Sequence, residues 1–265
     1  MSNFFKMVFS LFIMMIFSIN SAIAGDSSLP NIIGYSKDGR YFAFEEFGIQ
    51  DGSGFAYSSI YILDLKDNNW VVGTPIKTIG GENEEEPFDY QKLLKETREK
   101  TLKQAKLRLD GLGVNWPAIA LAYNGDGAPN EEGVEVNEGH SIKFFIPGLG
   151  GGARTDIYEI SLEIFKTKSA LSCFDWFGER PIGFLLKLKN DGDDIVKEVY
   201  RDEALSRSRN CPLNYKISAV YIPFEIGDVP FEAVDLKSAV ALISVFSSGY
   251  EGPDRRFIAV SIGNE

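Results

Sequence analysis

Histidine and cysteine are scarce in this sequence, which excludes several kinds of active site. The 265 residues contain one histidine, His140, and two cysteines, Cys173 and Cys211. A histidine-rich metal site is therefore impossible, and a Ser-His-Asp or Cys-His mechanism would have to use His140. A lone histidine is more often a surface or hydrogen-bonding residue than a base or ligand. We predict no metal site and no cofactor.

Positive charge is also in short supply. The chain has 27 Lys and Arg against 38 Asp and Glu, which gives a net charge of -11. Proteins that bind nucleic acids by releasing counterions from phosphates carry a basic surface, so we expect no nucleic-acid partner. With 44% hydrophobic residues, the composition is otherwise that of an ordinary globular protein.

The hydrophobic run near the start is too short for a transmembrane helix. Residues 7–19 are predominantly apolar, follow the cation Lys6 and precede Ala22-Ile23-Ala24, whereas a bilayer-spanning helix needs roughly 20 apolar residues. This order is typical of a signal peptide, residues 1–24. We predict cleavage before Gly25 and a single secreted, periplasmic β-rich domain over residues 25–265, with no stable transmembrane segment. An uncleaved anchor is the alternative.

Both cysteines remain in the mature chain, and export delivers them to an oxidising compartment. We predict one disulfide between Cys173 and Cys211. A pair of buried free thiols is the alternative.

Short β-branched and aromatic runs separated by turn residues predict strands. They cover residues 31–35, 40–47, 58–65, 70–72, 142–146, 156–165, 182–188, 195–200, 217–222, 239–246 and 256–262. Residues 41–44 are apolar on both faces, so this strand should be central and covered on both sides. Glu45 and Glu46 follow it and must point to opposite faces, so at most one of them should look inward.

Residues 87–113 follow a helical pattern, which predicts an amphipathic helix of about 22 residues. Asp89 can cap its start, and Gly111 or Gly113 can end it. The apolar residues of the pattern are Tyr90, Leu94, Leu102, Ala105, Leu109 and Leu112. The predicted fold is mainly β (α+β): an antiparallel β-sandwich or barrel-like sheet with one long amphipathic helix on one face.

Several segments carry resemblances to known families. Residues 36–44 and 59–65 resemble one blade of Tol-type periplasmic β-propellers, but a propeller needs several blades and the chain has one copy. Four further segments are Gly34-Tyr35-Ser36, Asp38-Gly39-Arg40-Tyr41-Phe42-Ala43-Phe44-Glu45, Ser206-Arg207-Ser208-Arg209-Asn210-Cys211-Pro212 and Glu251-Gly252-Pro253-Asp254-Arg255-Arg256-Phe257.

These four segments resemble a family of predicted secreted bacterial proteins of unknown function (a domain of unknown function). The resemblance implies secretion and supplies no activity, cofactor or catalytic residue. The family pattern has Gly before the Cys-Pro pair where this chain has Asn210, which keeps a tight turn possible.

Several acids and two arginines are candidate site residues. Glu45, Glu46, Asp64, Glu251 and Asp254 offer carboxylate pairs of the kind that glycoside hydrolysis needs. Arg255 and Arg256 follow Asp254 in a predicted hairpin tip, where two guanidinium groups could bind an anion. Pairing of these arginines with Asp254 or Glu251 is the alternative.

The predicted helix forms a basic ridge on an acidic protein. Residues 92–110 contain seven basic and three acidic residues, and Lys95, Lys103 and Lys106 are the candidate binding residues. Such a ridge could dock on anionic lipid, lipopolysaccharide or an acidic protein. The alternative is a solvated face tied by Glu96 to Lys100 and by Glu99 to Lys103.

Two other motifs carry less. Residues 148–153 fit the glycine-rich half of a dinucleotide fingerprint, but a strand rather than a helix is predicted to follow, so we expect no nucleotide site. The acidic turns near residues 51, 124–135 and 191–194 lack EF-hand order. We interpret them as solvated turns, with a surface calcium ion as the alternative.

Together these features predict a noncatalytic binding or interaction domain of the cell envelope, with a protein, lipid or glycan partner. The alternative is a secreted, glycosidase-like hydrolase that uses paired carboxylates or a bound metal. The scarcity of His and Cys favours the first hypothesis.

Overall fold

A computed structural model describes residues 25–81, 89–124, 140–146, 156–178, 180–192, 195–224, 236–249 and 252–263. The predicted signal peptide, Glu251 and the glycine-rich residues 148–153 lie outside these ranges. The strands are β1 (Leu29–Ser36), β2 (Tyr41–Ile49), β3 (Ala56–Asp64), β4 (Asn69–Trp70), β5 (Ile76–Gly80), β6 (Val114–Trp116), β7 (Ala118–Tyr123), β8 (Ser141–Ile146), β9 (Asp156–Lys166), β10 (Lys168–Ser169), β11 (Ile182–Asn190), β12 (Val196–Arg201), β13 (Ala204–Leu205), β14 (Pro212–Pro223), β15 (Val240–Ser248) and β16 (Pro253–Ser261). The helices are α1 (Tyr90–Gly111) and α2 (Cys173–Phe177), with 3-10 turns at Arg207–Arg209 and Leu236–Ser238.

Most strands belong to three antiparallel sheets. The N-terminal sheet has the order β4-β3-β2-β1-β6, and β5 also pairs with β3. The central sheet has the order β16-β15-β14-β7, and the outer sheet has the order β12-β11-β9-β8. A short parallel pair joins β10 and β13. The predicted mainly β, antiparallel fold with one long helix is confirmed, while β5, β6, β7, β10 and β13 lie outside the predicted strands.

Three apolar cores join the sheets and α1 into four layers. The outer and central sheets meet through residues such as Phe184, Ile217 and Ile243. The central and N-terminal sheets meet through residues such as Phe42, Leu242 and Phe257. The N-terminal sheet meets α1 through residues such as Ile60, Ala105 and Leu109. The central sheet is therefore covered on both faces, and α1 covers the far face of the N-terminal sheet.

Strand β2 is central, as its sequence predicts. It pairs with β1 on one side and β3 on the other, and Phe42, Ala43 and Phe44 are fully buried. The turn before it is tight, because the Gly39 N–H donates to the Ser36 carbonyl at 2.9 Å. Gly39 has a φ of 69°, which glycine adopts without steric cost.

Helix α1 confirms the predicted span, but its buried face differs from the predicted stripe. The Asp89 carboxylate caps the helix by accepting from the Lys92 N–H at 3.0 Å. The buried residues are Leu93, Thr97, Thr101, Ala105 and Leu109, whereas Tyr90 and Leu102 are about half exposed. Threonine can be buried here because the Thr101 hydroxyl donates to the Thr97 carbonyl at 2.9 Å. The predicted apolar stripe does not include Thr97 and Thr101, because threonine is a polar residue type, and it therefore differs from the buried face.

The predicted disulfide between Cys173 and Cys211 is confirmed. Their Cα atoms lie 5.6 Å apart and both residues are buried. The bond joins the start of α2 to the residue that precedes β14. Asn210, immediately before Cys211, has a φ of 59°. Asparagine adopts a positive φ more readily than most residues, so it permits the tight turn at this position.

Within the described ranges, no helix has both the length and the hydropathy that crossing a membrane requires.

Candidate ligand-binding groove

A groove lies beside β16, the edge strand of the central sheet. Its volume is about 700 Å³. Residues 257–260 of β16 line its floor, residues of β3, β4 and β5 line one wall, and Tyr200 with the 206–210 loop lines the other. The groove thus lies at the edge of the central sheet. The N-terminal sheet forms one side, and β12 of the outer sheet with the 206–210 loop forms the other.

A polar row crosses the wall that the N-terminal sheet provides. Glu46 of β2 pairs in register with Ser59 of β3, which pairs with Lys77 of β5. Residues in register on neighbouring strands share one face of a sheet. All three side chains therefore face the groove, with Lys77 exposed at its mouth.

Arg256 fixes the inner end of this row. Its Nη1 donates to the Tyr57 hydroxyl at 2.7 Å and to the Ser28 hydroxyl at 2.6 Å. Its Nη2 donates to the Asp26 carboxylate at 3.1 Å, and its Nε lies 3.7 Å from Glu46 Oε1. Four partners on three segments of the chain hold the guanidinium in one position.

Glu46 is a nearly inaccessible carboxylate, with 2% of its surface exposed. Its Oε2 accepts a hydrogen bond from the Phe257 N–H at 2.7 Å, which joins the N-terminal sheet to the central sheet. Burial raises its pKa to about 6, although the Phe257 N–H and the charges of Arg256 and Lys77 oppose the shift. Glu46 therefore exchanges a proton close to neutral pH.

Aromatic side chains form the rest of that wall. The Tyr61 ring stacks on Phe44 at 5.1 Å between centroids and contacts Trp70 at 5.2 Å. Trp70 is 36% exposed. Burial raises the pKa of Tyr61 well above its usual value, so its hydroxyl stays protonated. The wall offers a ring surface of the kind that binds apolar or planar groups.

The opposite wall rests on a buried ion pair. Arg209 donates to both carboxylate oxygens of Asp202, each at 3.2 Å. Asp202 also accepts from the Tyr200 hydroxyl at 2.7 Å and the Phe184 N–H at 3.1 Å. Burial, followed by the Asp202 charge, raises the pKa of Tyr200 to about 12. With the adjacent Cys211 disulfide, these bonds hold the 206–210 loop in place.

A single family model covers the residues that build both walls of the groove. A family model for predicted secreted proteins (DUF2259) matches residues 43–262, which include β3, β5, β16 and the 206–210 loop. The chain belongs to the DUF2259 family. No curated protein and no solved structure matches it significantly. The family of predicted secreted proteins that the sequence resembles is therefore confirmed, and this DUF2259 protein belongs to a family of unknown function.

Glu45 does not reach the groove of this DUF2259 protein. Its carboxylate accepts from Arg98 of α1 at 3.0 and 2.8 Å, from Ser58 at 2.9 Å and from Asn31 at 3.2 Å. Glu45 and Glu46 do point to opposite faces, but both are buried. The expectation that at most one would look inward is wrong, because α1 covers one face of the sheet and the central sheet covers the other.

The two arginines after Asp254 have partners in residues 26–28. Arg255 is buried and donates from Nε and Nη2 to the Ser28 carbonyl at 3.1 and 2.8 Å. Asp254 accepts from the Asp26 N–H at 2.9 Å. The acidic partners of Arg256 are Asp26 and Glu46 rather than Asp254. Glu251 lies outside the described residues.

The basic ridge is separate from the groove, because α1 lies on the other face of the N-terminal sheet. Lys95 lies 3.9 Å from Glu99, and Lys106 lies 2.8 Å from Asp110. Glu96 lies 3.9 Å from Lys92, so the two glutamates pair with lysines on the preceding turn. Lys103 is exposed. These pairs reduce the charge that the ridge presents.

The sequence pattern does not single out several of the groove residues. Lys77 lies in the unpredicted strand β5, and Tyr57, Tyr61 and Trp70 read as ordinary strand aromatics. Arg209 stands in one of the segments that carry the family resemblance, which was the available signal. Across the described ranges, no cluster of three or more His, Cys, Asp or Glu side chains could hold a metal ion. At the first acidic turn, the Asp51 N–H donates to Asp26 Oδ1 at 2.6 Å.

Proposed function

We propose that this DUF2259 protein is a noncatalytic binding domain of the cell envelope, exported to the periplasm, and that its ligand occupies the groove beside β16. The observation that carries the proposal is a groove of about 700 Å³ in which protein partners already hold the charged groups of Glu46, Arg209 and Arg256. A site with fixed polar groups loses little conformational freedom on binding, which favours affinity.

The bonding of the charged groups supports binding over catalysis. One carboxylate oxygen of Glu46 accepts a hydrogen bond from the Phe257 N–H, and the other lies 3.7 Å from Arg256 Nε. Arg256 in turn is held by Tyr57, Ser28 and Asp26. These contacts join layers of the fold, so the same groups stabilise the walls that a ligand would touch.

A secreted hydrolase is the second candidate, and one observation favours it. Glu46 lines the groove together with Asp254, and burial raises the Glu46 pKa to about 6, the range of a general acid. A retaining or inverting glycosidase would need both carboxyl groups beside the scissile bond. Turnover of a glycan and ester panel by the mature protein, lost in Glu46→Gln, would establish this candidate instead.

The binding proposal is tested with Trp70 as a reporter. The three tryptophans are Trp70, Trp116 and Trp176, so Trp116→Phe with Trp176→Phe leaves Trp70 alone. Titration with oligosaccharides, anionic lipid vesicles and a random peptide library should change Trp70 emission for one class. Lys77→Ala at the groove mouth should weaken that response, and the matched control Lys103→Ala on α1 should not. A response to no class, or equal effects of the two lysines, would contradict the proposal.

A further inference from the structure

The outward edge of β16 is only partly paired. The Arg255 N–H donates to the Asp26 carbonyl, the Phe257 N–H to Glu46 and the Ser261 N–H to Asn68 Oδ1 at 2.9 Å. In an antiparallel pair, alternate residues bond to the neighbouring strand and the others point away. The odd-numbered residues of β16 therefore point away from β15, and Ala259 is the odd residue between Phe257 and Ser261.

Ala259 leaves an N–H and a carbonyl facing the groove. It is 5% exposed and lines the floor. Among the residues that the structure describes, its outward N–H has no hydrogen-bond partner. Backbone N–H groups that are shielded from bulk water are nearly always paired in native proteins. The open position is thus a donor and acceptor pair at the bottom of a cavity, between two positions that side chains have capped.

The protein already pairs a strand-like segment with the start of this edge. Ser27 forms a parallel bridge with Arg255. The Arg255 N–H donates to the Asp26 carbonyl at 2.8 Å, and the Ser28 N–H donates to the Arg255 carbonyl at 3.2 Å. After Ser28 the chain leaves this edge to form β1. The groove continues the line of that pairing along residues 257–260.

The groove also has the size of a short strand. A residue in a layered sheet takes about 3.3 Å along the strand, about 4.8 Å between strands and about 10 Å between sheets, or roughly 160 Å³. A groove of about 700 Å³ therefore has room for a short extended segment. Residues 257–260 of β16 line the groove over a comparable length, and the Ala259 N–H is the open donor within it.

We propose that the groove binds an extended segment of a partner polypeptide, which pairs with Ala259 and becomes the fifth strand of the central sheet. Main-chain bonds to the Ala259 N–H and carbonyl supply the recognition common to strand addition. Alternate ligand side chains then face Tyr61 and Trp70 on one wall and Tyr200 on the other. This inference rests on the proposed function and names the class of its ligand.

Hydrogen exchange of single amides tests the open edge in the free protein. The sample is the protein of residues 25–265. We expect its Ala259 amide to exchange at least tenfold faster than the amides of Ile258 and Val260, which point to β15. Exchange of Ala259 that is as slow as that of its two neighbours would overturn the inference, because the edge would already be paired.

Selected peptides test the strand itself. Nonapeptides enriched from a random phage-displayed library on the mature protein would be synthesised, and their affinities measured with Trp70 as reporter. Single N-methylation along each peptide should reduce affinity at least tenfold at alternate residues and little at those between, since only alternate N–H groups face β16. The bound peptide should also slow exchange of the Ala259 amide at least tenfold.

Variants of Ala259 provide the matched comparison. Ala259→Pro removes the open N–H without removing a bond to β15, and it should reduce peptide affinity at least tenfold. Ala259→Ser keeps the N–H and should retain binding. If Ala259→Pro does not fold, the N-methyl series still decides the question from the ligand side.

The outcomes separate this inference from the proposed function. If peptides change Trp70 emission but tolerate N-methylation at every position, strand addition is wrong and groove binding stands. The same holds if an oligosaccharide binds and no peptide does. If no probe class changes Trp70 emission, both the inference and the proposed function fail.

Discussion

Glu45 and Glu46 are consecutive residues of β2, yet each joins the N-terminal sheet to a different layer. Glu45 forms a two-pronged ion pair with Arg98 of α1, at 3.0 and 2.8 Å. Glu46 accepts from the Phe257 N–H of the central sheet at 2.7 Å. Because neighbouring strand residues point to opposite faces, two adjacent acids connect three layers. We therefore expect Glu45 to affect stability through its ion pair with Arg98, and Glu46 to affect it through its titration.

Removing Arg98 should destabilise the protein because it leaves the Glu45 carboxylate buried without its cation. Loss of one partner of a buried pair costs about 3–5 kcal/mol, and partial exposure of Arg98 lowers the expected cost to about 2–3 kcal/mol. Arg98→Ala should show this loss in urea unfolding. Lys92→Ala, which removes an exposed pair 3.9 Å from Glu96, should cost about 0.5 kcal/mol or less. Equal effects of the two substitutions would contradict the assignment.

Glu46 should make stability depend on pH near neutrality. Its folded pKa of about 6 lies above its usual value of 4.5, so the folded state binds the proton more tightly than the unfolded state. The resulting stability is complete below pH 4.5 and is lost as the pH rises through 6. The loss by pH 8 is about 2 kcal/mol.

Glu46→Gln should remove that dependence, because glutamine can still accept from the Phe257 N–H and carries no charge. Urea unfolding of both proteins between pH 4 and 8 measures it. We expect the variant to gain about 2 kcal/mol on the wild type across this range. A stability difference that is the same at every pH would show that the Glu46 carboxyl does not titrate as described.

The elements with a strong local pattern were predictable. The period of the apolar residues and the Asp89 cap predict α1, and the apolar run at residues 41–44 predicts a central strand. The buried face of α1 was not predictable from polarity, because Thr97 and Thr101 bury their hydroxyls by bonding within the helix. Strand β5 is short and mixes apolar with polar residues, so its pattern is weak.

The groove could not be predicted, because no local pattern contains it. Glu46, Lys77, Arg209 and Arg256 come from four separate parts of the chain. They meet only when three sheets stack, and the sequence does not specify which edge of which sheet remains open. The segment that includes Arg209 is typical of the family, but the resemblance assigns no activity or binding role to its residues.

The mature protein should begin at Gly25 and be found in the periplasm. The short apolar run and Ala22-Ile23-Ala24 motivate this expectation. N-terminal sequencing of the protein from an envelope fraction, with intact mass measurement, decides it. A retained Met1 would contradict it.

Charge reversal on the basic ridge should leave groove binding unchanged. Lys95, Lys103 and Lys106 lie on α1, which packs on the face of the N-terminal sheet opposite the groove. The triple change to Glu should therefore alter the affinity for a groove ligand less than twofold at 0.1 M salt, where charges are screened over about 10 Å. If the ridge itself docks on envelopes, cosedimentation with anionic vesicles should be lost in the same variant. A large loss of groove affinity would contradict the separation of the two surfaces.

Loss of the disulfide should affect both stability and the groove. Cys173 and Cys211 are 38 residues apart in sequence, and closing such a loop stabilises the folded state by about 4 kcal/mol in the chain-entropy model. Urea unfolding of Cys173→Ser with Cys211→Ser should show a loss of this order, and reduced wild-type protein should match the variant. Cys211 directly follows the 206–210 loop, so freeing it should also loosen the wall that contains Arg209. We therefore expect weaker groove binding, measured by Trp70 emission under conditions where the variant is still folded. Unchanged affinity in a folded double variant would show that the Arg209 pair with Asp202 holds that wall without the disulfide.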